Sequence, residues 1–294
     1  MPAPDFRVAV TQHLRQIQDQ ITGTISKLDG TDFREDLWDR PGGGGGRTRI
    51  LENGGVIERG GVNFSEVHGE LPKELAATMP GTGTSFYAAG LSLVLHPHNP
   101  FAPTVHANFR YLEKGDSGWF GGGADLTPSY LFEDDARHFH QTFKEACDRH
   151  DPGYYADFKA QCDRYFLIQH RGERRGIGGL FFDYLQGDLG KVFAFVKEVS
   201  EAFLPAYLPI LERREDMPFE PRHRNWQLLR RGRYVEFNLV YDRGTVFGLK
   251  TSGRIESILM SLPANARWEY AAEPAPGSEE AKLVAVLRTP REWV

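Results

Sequence analysis

Hydrophobic side chains return every three or four positions over residues 6–28. Val10, Leu14, Ile17, Ile21, Ile25 and Leu28 fall on one stripe, and this spacing predicts an amphipathic helix. The rhythm then changes. Residues 47–68 hold short apolar runs punctuated by Asn53-Gly54-Gly55 and Gly60-Gly61, the signal of a hairpin. SFYAAGLSLVLH, 85–96, alternates strictly: Leu91, Leu93 and Leu95 face one way, and Ser92, Val94 and His96 the other, as in a strand. Pro97, Pro100 and Pro103 forbid a helix in the next stretch. Over 104–112 the alternation resumes. Val105, Ala107, Phe109 and Tyr111 form an apolar set; His106, Asn108 and Arg110 form a polar row on the opposite face.

Farther on, 133–149 reads as a helix, with Glu133, Asp134 and Asp135 at its start, where the dipole favours acids. Ala136, Phe139, His140, Phe143 and Cys147 share one of its faces. A second helix is expected over 154–171, ending near His170, and a single long one over 189–213. GGLFFDYL, 178–185, reads as a strand. Residues 233–249 alternate locally and predict a hairpin turning at Asp242-Arg243-Gly244, with a short helix from Arg254. Five glycines at 42–46 predict neither helix nor strand interior; a loose connector and a flap over a ligand both stay open. Neither an internal repeat nor a linker divides the chain. The expectation is one domain over 1–294, of α+β class, with a large mostly antiparallel β-sheet covered on both faces by α-helices.

Composition narrows the class. In 294 residues, 40% hydrophobic and 12% aromatic content supplies a sizeable core. A formal net charge of -5 argues against a general nucleic-acid binder but leaves room for a local basic pocket. No stretch approaches the roughly 18 apolar residues of a membrane span. No signal peptide is visible. Cys147 and Cys162 are the only cysteines, which fits a reduced cytoplasmic protein and excludes a cluster held by about four thiolates within one chain.

Familiar cofactor signatures are missing. There is no G-x-G-x-x-G after a strand, no phosphate-binding loop, no H-E-x-x-H or CxxC zinc pattern and no nucleophile elbow. The polar row therefore carries the interest. Histidine exchanges protons near neutrality, asparagine bonds a polar ring group, and arginine clamps a carboxylate. His96, His98 and His106 fall within eleven residues, so a metal site and a metal-free proton relay both stay open; the spacing lacks a carboxylate at ligand distance. Arg174 and Arg254 stand beside glycines that let a ligand approach the backbone. Asp183, between aromatics in FFDYL, is a base or ring-NH acceptor if buried, and otherwise a strand-edge residue in water.

The strings GGGGGRTRILENGGVIERGGVNFSEVHG (42–69), LSLVLHPHNPFAPTVHANFR (91–110), WFGGGADLTPSYLFEDDARHFHQTFKEACDRH (119–150), HRGERRGIGGLFFDYL (170–185) and RRGRYVEFNLVYDRGTVFGLKTSGRIESILMSLP (230–263) closely resemble the oxygen-dependent coproporphyrinogen III oxidases nearly end to end. The resemblance implies oxidative decarboxylation of two propionates of coproporphyrinogen III to vinyl groups, giving protoporphyrinogen IX, carbon dioxide and hydrogen peroxide on the path to haem. Dioxygen is the co-substrate and no organic cofactor is implied. It also implies a homodimer formed through about 234–269. Carried over residue by residue, the family's substrate contacts fall on Ser92, Asn108, Phe109, Arg110, Ser252, Gly253 and Arg254. The proposed proton donor falls on His106. A proposed divalent-metal set falls on His96, His106, His140 and His170. Asp183 and Arg174 complete the expected catalytic group. In one departure, Tyr184 stands where the family often has a second aspartate, leaving Asp183 to act alone.

Overall fold

Six strands follow one another across a twisted sheet before any long helix intervenes. The computed structural model describes residues 4–250 and 254–294. Helix α1 (Pro4–Asp29) leads into β1 (Arg34–Asp39), β2 (Gly44–Glu52) and β3 (Ile57–Glu70). After the single turn α2 (Lys73–Ala76) come β4 (Ser85–Pro97), β5 (Thr104–Lys114) and β6 (Ser117–Thr127). Two helices, α3 (Glu133–Asp148) and α4 (Tyr154–Tyr165), precede a two-stranded ribbon of β7 (Leu167–Ile168) and β8 (Glu173–Arg174). Strand β9 (Gly179–Leu185) then joins the sheet beside β6. The rest is helical: α5 (Leu189–Glu201), α6 (Phe203–Arg214), α7 (Pro221–Val240), α8 (Arg243–Lys250), α9 (Ile255–Leu259) and α10 (Glu279–Arg288). The seven-stranded order is β1-β2-β3-β4-β5-β6-β9, antiparallel at every step. The expected α+β class is correct, and no described helix is long and apolar enough to cross a membrane.

The alternation in β4 and β5 does what its period requires. Leu91, Leu93, Leu95, Val105, Ala107, Phe109 and Tyr111 are all buried on one face. They pack with Val10, Leu14, Ile17, Ile21 and Ile25 of α1 and with the apolar sides of α3, α5 and α6 in one continuous core. On the other face the cover is partial. Helix α9 reaches β2 through Ser257 and Thr48, whose hydroxyls lie 2.8 Å apart. A small cluster of Cys162, Phe166, Ile168 and Phe237 ties α4 to α7. Between these contacts, Ser65, Gly90, Ser92, His106, Asn108 and Arg110 remain half-exposed, and the middle of the sheet forms the floor of a cleft.

Four expectations need correction. Residues 233–249 are helical, not a hairpin. The buried residues Gln227, Arg230, Arg231, Tyr234, Phe237 and Asn238 repeat at 3.6 rather than 2, and the local alternation of YVEFNLVY hid that longer period. The glycine run is not a loose segment: Gly44–Gly46 begin β2 and pair with β3, and Gly45 and Gly46 pair with β1 as well. Gly44 adopts φ +84°, and a Cβ on Gly46 would strike the Trp38 ring at 2.2 Å. Glycine is there for close approach, not for mobility. The long helix of 189–213 breaks at Ala202, because Pro205 has no N–H for the carbonyl four residues back and its ring collides there. The helix from 154 stops at Tyr165, and His170 lies in a 3₁₀ turn closed by Gly172 at φ +62°.

Candidate active site

The two-residue turn Gly115-Asp116 sets the β5–β6 register, placing His106 opposite Asp125 and Arg110 opposite Gly121. His106 Nδ1 and Asp125 Oδ1 are 2.7 Å apart. Arg175, just after β8, donates to both Asp125 oxygens at 2.9 Å and through Nη1 to Asn238 of α7 at 2.7 Å. Its guanidinium is stacked among Phe166, Tyr234 and Phe237. Burial alone would push the Asp125 carboxyl up; the Arg175 charge and the His106 bond outweigh it and hold it below the ordinary range. A buried ion pair thus orients a histidine that is 22% exposed and keeps Nε2 facing the cleft.

A second cluster lies farther along the same face. Asp183 of β9 contacts Arg110 at 3.0 Å and Arg243, the first residue of α8, at 3.2 Å. Arg110 also donates to Asn108 at 3.0 Å. Gly121 makes room for this pair: a Cβ there would meet Asp183 Oδ1 at 2.7 Å. Tyr184 sits in the left-handed region at φ 53°, and its N–H donates back to Asp183 Oδ1 at 3.0 Å. At the far end, Arg254 is paired with Asp36 of β1 and lies 6.0 Å from the Trp38 ring. Asp36, Thr48, Asn63, Ser92 and Asn108 form one cross-strand row. Four strand spacings, roughly 19 Å, therefore separate the two ends of the cleft.

The structure brings His106, Asn108, Arg110, Asp183, Ser92 and Arg254 to one face of one sheet. It does not bring Arg174 there. That side chain turns to the backbone carbonyls of Asp163, Leu287 and Arg288, closing the end of α10. Its neighbour Arg175 reaches Asp125, the partner of His106, instead, since successive residues of an extended segment point opposite ways. The Phe109 ring is wholly buried in the core on the other side of the sheet, so only its backbone borders the cleft. Ser252 and Gly253 lie outside the described residues. Asp125, Asn238 and Arg243 do not stand out in the sequence as site residues, and Arg175 reads there as a solvated surface arginine beside Arg171 and Arg174. For Asp125 a signal existed: counting back from the Gly115-Asp116 turn sets it beside His106.

The four histidines of the expected metal set are dispersed. His96 donates from Nε2 to the Ser261 carbonyl at 2.9 Å and meets Thr104 Oγ1 at 3.1 Å. His140 lies in the opposite layer, held by Tyr155 Oη at 2.7 Å and the Ile177 carbonyl at 3.1 Å. His170 is engaged by Tyr241 and Glu236, each at 2.7 Å. Among the described residues no three His, Cys, Asp or Glu side chains are grouped as ligands. These four residues, as placed, do not fit one ion, because three of the rings already use both nitrogens.

Burial lowers the imidazole pKa of His96, next to the Arg231 charge, and of His140, to about 3 in each case. Both are therefore neutral in the folded protein at pH values where the unfolded chain binds protons. Below pH ~6.5 the unfolded state gains protons that the folded state refuses, so stability falls between there and the folded value. The melting temperature should decline steadily below pH ~6.5; a flat profile down to pH ~4.5 would contradict the neutral assignment.

A hollow of about 390 Å³ lies elsewhere, at the outer edge of the sheet, lined by Arg15, Leu37, Asp39, Glu66 and His68 among others. It mixes both signs of charge and shares only Trp38 with the cleft, without His106, Asn108, Arg110, Asp183 or Arg254. The chemistry favours the cleft. Fold and site together define an α+β protein with a half-open, arginine-flanked cleft on an antiparallel sheet, suited to a ligand with several carboxylates.

Comparison with known proteins agrees. The sequence profile described as coproporphyrinogen III oxidase matches residues 9–293. An oxygen-dependent coproporphyrinogen-III oxidase of Glycine max, named as chloroplastic, is 52% identical over 98% of this chain and 80% of its own length. A coproporphyrinogen-III oxidase 1 of Arabidopsis thaliana, also named as chloroplastic, is 52% identical over 96% of this chain and 78% of its own. An oxygen-dependent coproporphyrinogen-III oxidase of Prochlorococcus marinus is 49% identical over 99% of this chain and 94% of its own. The chain belongs to the coproporphyrinogen III oxidase family.

Proposed function

We infer that this chain catalyses the oxygen-dependent decarboxylation of coproporphyrinogen III to protoporphyrinogen IX in haem biosynthesis, and that it does so in the cleft on the face of the sheet that carries His106, Arg110 and Asp183. The observation that carries the placement is the shared face of His106, Arg110 and Asp183. The substrate is a reduced tetrapyrrole with four propionates. Arg110 at one end and Arg254 at the other are spaced to meet carboxylates on different rings, each as a bidentate fork. Asn108 and Ser92, between them, offer hydrogen bonds to the macrocycle.

Each decarboxylation removes carbon dioxide from the propionate and the equivalent of a hydride from its β-carbon. Dioxygen takes the two electrons, and one further proton completes hydrogen peroxide. The protein must therefore hold the ring, neutralise the carboxylates and supply that proton. His106, oriented by Asp125, supplies it from Nε2. Asp183 accepts pyrrole N–H groups and raises electron density at the ring carbon that meets oxygen. In the ligand-free protein Arg110 and Arg243 occupy this carboxylate; substrate exchanges them for N–H donors while its own propionates take the arginines. The electron-rich pyrroles provide the reducing power, so the reading needs no organic cofactor and no metal. Metal-stripped protein given coproporphyrinogen III should form product and peroxide in air and neither without it. Activity lost on exhaustive chelation and restored by a divalent ion would favour a metal-dependent enzyme instead.

The enzyme is read as a homodimer in a reducing cytoplasm. Of the eleven large hydrophobic residues exposed among those described, five, Leu239, Val240, Leu249, Ile255 and Trp268, fall within 234–269. Such a concentration suits a self-association surface. Sedimentation should give about twice the chain mass of 33.2 kDa; Val240→Lys should shift it toward the single-chain value. Cys147 and Cys162 are both free and buried, in keeping with a compartment that keeps thiols reduced.

A further inference from the structure

Gly90 lies within β4, the fourth strand of seven, yet nothing among the described residues asks for glycine there. Its φ is not in the left-handed region, and a Cβ would meet only Arg110 Cβ at 3.5 Å, the Phe109 carbonyl at 3.7 Å and Arg110 Cα at 4.0 Å. Those are ordinary contacts. Other glycines on this face differ: a Cβ on Gly61 would strike Met260 Sδ at 2.6 Å, and one on Gly121 would strike Asp183 at 2.7 Å. A glycine in a strand interior weakens the strand and offers no side chain to pack. With internal reasons removed, the reason lies in what approaches from outside.

The surroundings say what that is. Gly90 is half-exposed on the cleft floor, cross-strand from Ser65 on one side and Arg110 on the other. The Arg110 guanidinium turns toward Asn108 and Asp183 rather than toward Gly90. Strands β3 and β5 are two spacings apart, roughly 10 Å, which gives a depression one ring wide. The bridging carbons of a porphyrinogen are saturated, so its pyrroles tilt out of a common plane. A tilted ring needs such a depression beneath it.

We propose that Gly90 is a specificity-determining position: one pyrrole ring descends onto the β4 backbone at Gly90 while its propionate is carried to Arg110. The inference rests on the placement of the macrocycle in this cleft. A methyl group at this position raises the floor by about 1.5 Å, lifting the ring away from Arg110 and Asp183 without disturbing the protein's own packing.

The test uses full-length wild type, Gly90→Ala and Gly90→Val, with thermal unfolding and steady-state kinetics on coproporphyrinogen III at saturating oxygen. Gly90→Ala should melt at or above the wild-type temperature, while its KM rises about tenfold or more. Gly90→Val should raise KM further. A wild-type KM for Gly90→Ala overturns the proposal. So does a parallel fall in melting temperature and substrate affinity, which would make the glycine a requirement of the fold. Wild-type turnover in the same assay tests the reaction; the ratio of variant to wild type tests Gly90.

Discussion

Asp125→Asn is expected to reduce kcat by roughly 10²–10⁴-fold and to destabilise the fold by about 3–5 kcal/mol. Both effects have one origin. The carboxylate is 1% exposed and is the shared partner of Arg175 and His106. Asparagine has one acceptor oxygen where the fork needs two, and no charge to balance a guanidinium that is itself 2% exposed. An unpaired buried cation is left behind, together with a histidine free to turn. Stability and catalysis separate in the double variant Asp125→Asn/Arg175→Met. Removing the orphaned charge should recover much of the stability, since Met fills the aromatic cage, while turnover stays low. Recovery of turnover in the double variant would show that Asp125 serves only to neutralise Arg175 and does not orient His106.

Asp183→Asn should lower kcat by about 10²–10³-fold and leave KM unchanged or lower. The aspartate holds two arginines in the ligand-free protein. Without its charge they are free for propionates from the start, so carboxylate binding should not suffer. What is lost is the acceptor for the pyrrole N–H groups. Steady-state kinetics decide: an equal loss in binding and turnover would reject the assigned role.

Much of this fold could be read from periodicity. The 3.6-residue stripe of α1 and the alternation in β4 and β5 each placed their core-facing side chains correctly, because each element turns one face to the same core; at the end of β4 the opposite face, with Val94 and His96, is buried as well. The polar row of His106, Asn108 and Arg110 was legible for the same reason. Legibility failed where two periods compete, as in α7, whose apolar residues also cover the outside. It failed again where glycines serve close packing rather than turns, as at Gly44–Gly46. In the site, the visible residues were those of β5 together with Ser92 of β4, Asp183 of β9 and Arg254. The partners that escaped notice come from β6, the turn after β8, α7 and α8, and pairings between separate elements are set by tertiary register rather than local pattern. Arg174 drew attention by composition, but Arg175 has the side chain on the proper side.

Tyr184 follows Asp183 in a backbone conformation that tyrosine rarely adopts, at a cost of order 1–3 kcal/mol. Its ring lies against Trp119, 5.8 Å between centroids, and its N–H grips the Asp183 carboxylate. The carboxylate is thus aimed by a sprung hinge rather than a slack one. A residue more at ease there would relax the spring and toughen the protein against heat, yet it would let the acid wander. In Tyr184 the protein gives up some resilience and keeps a carboxylate that stays on target.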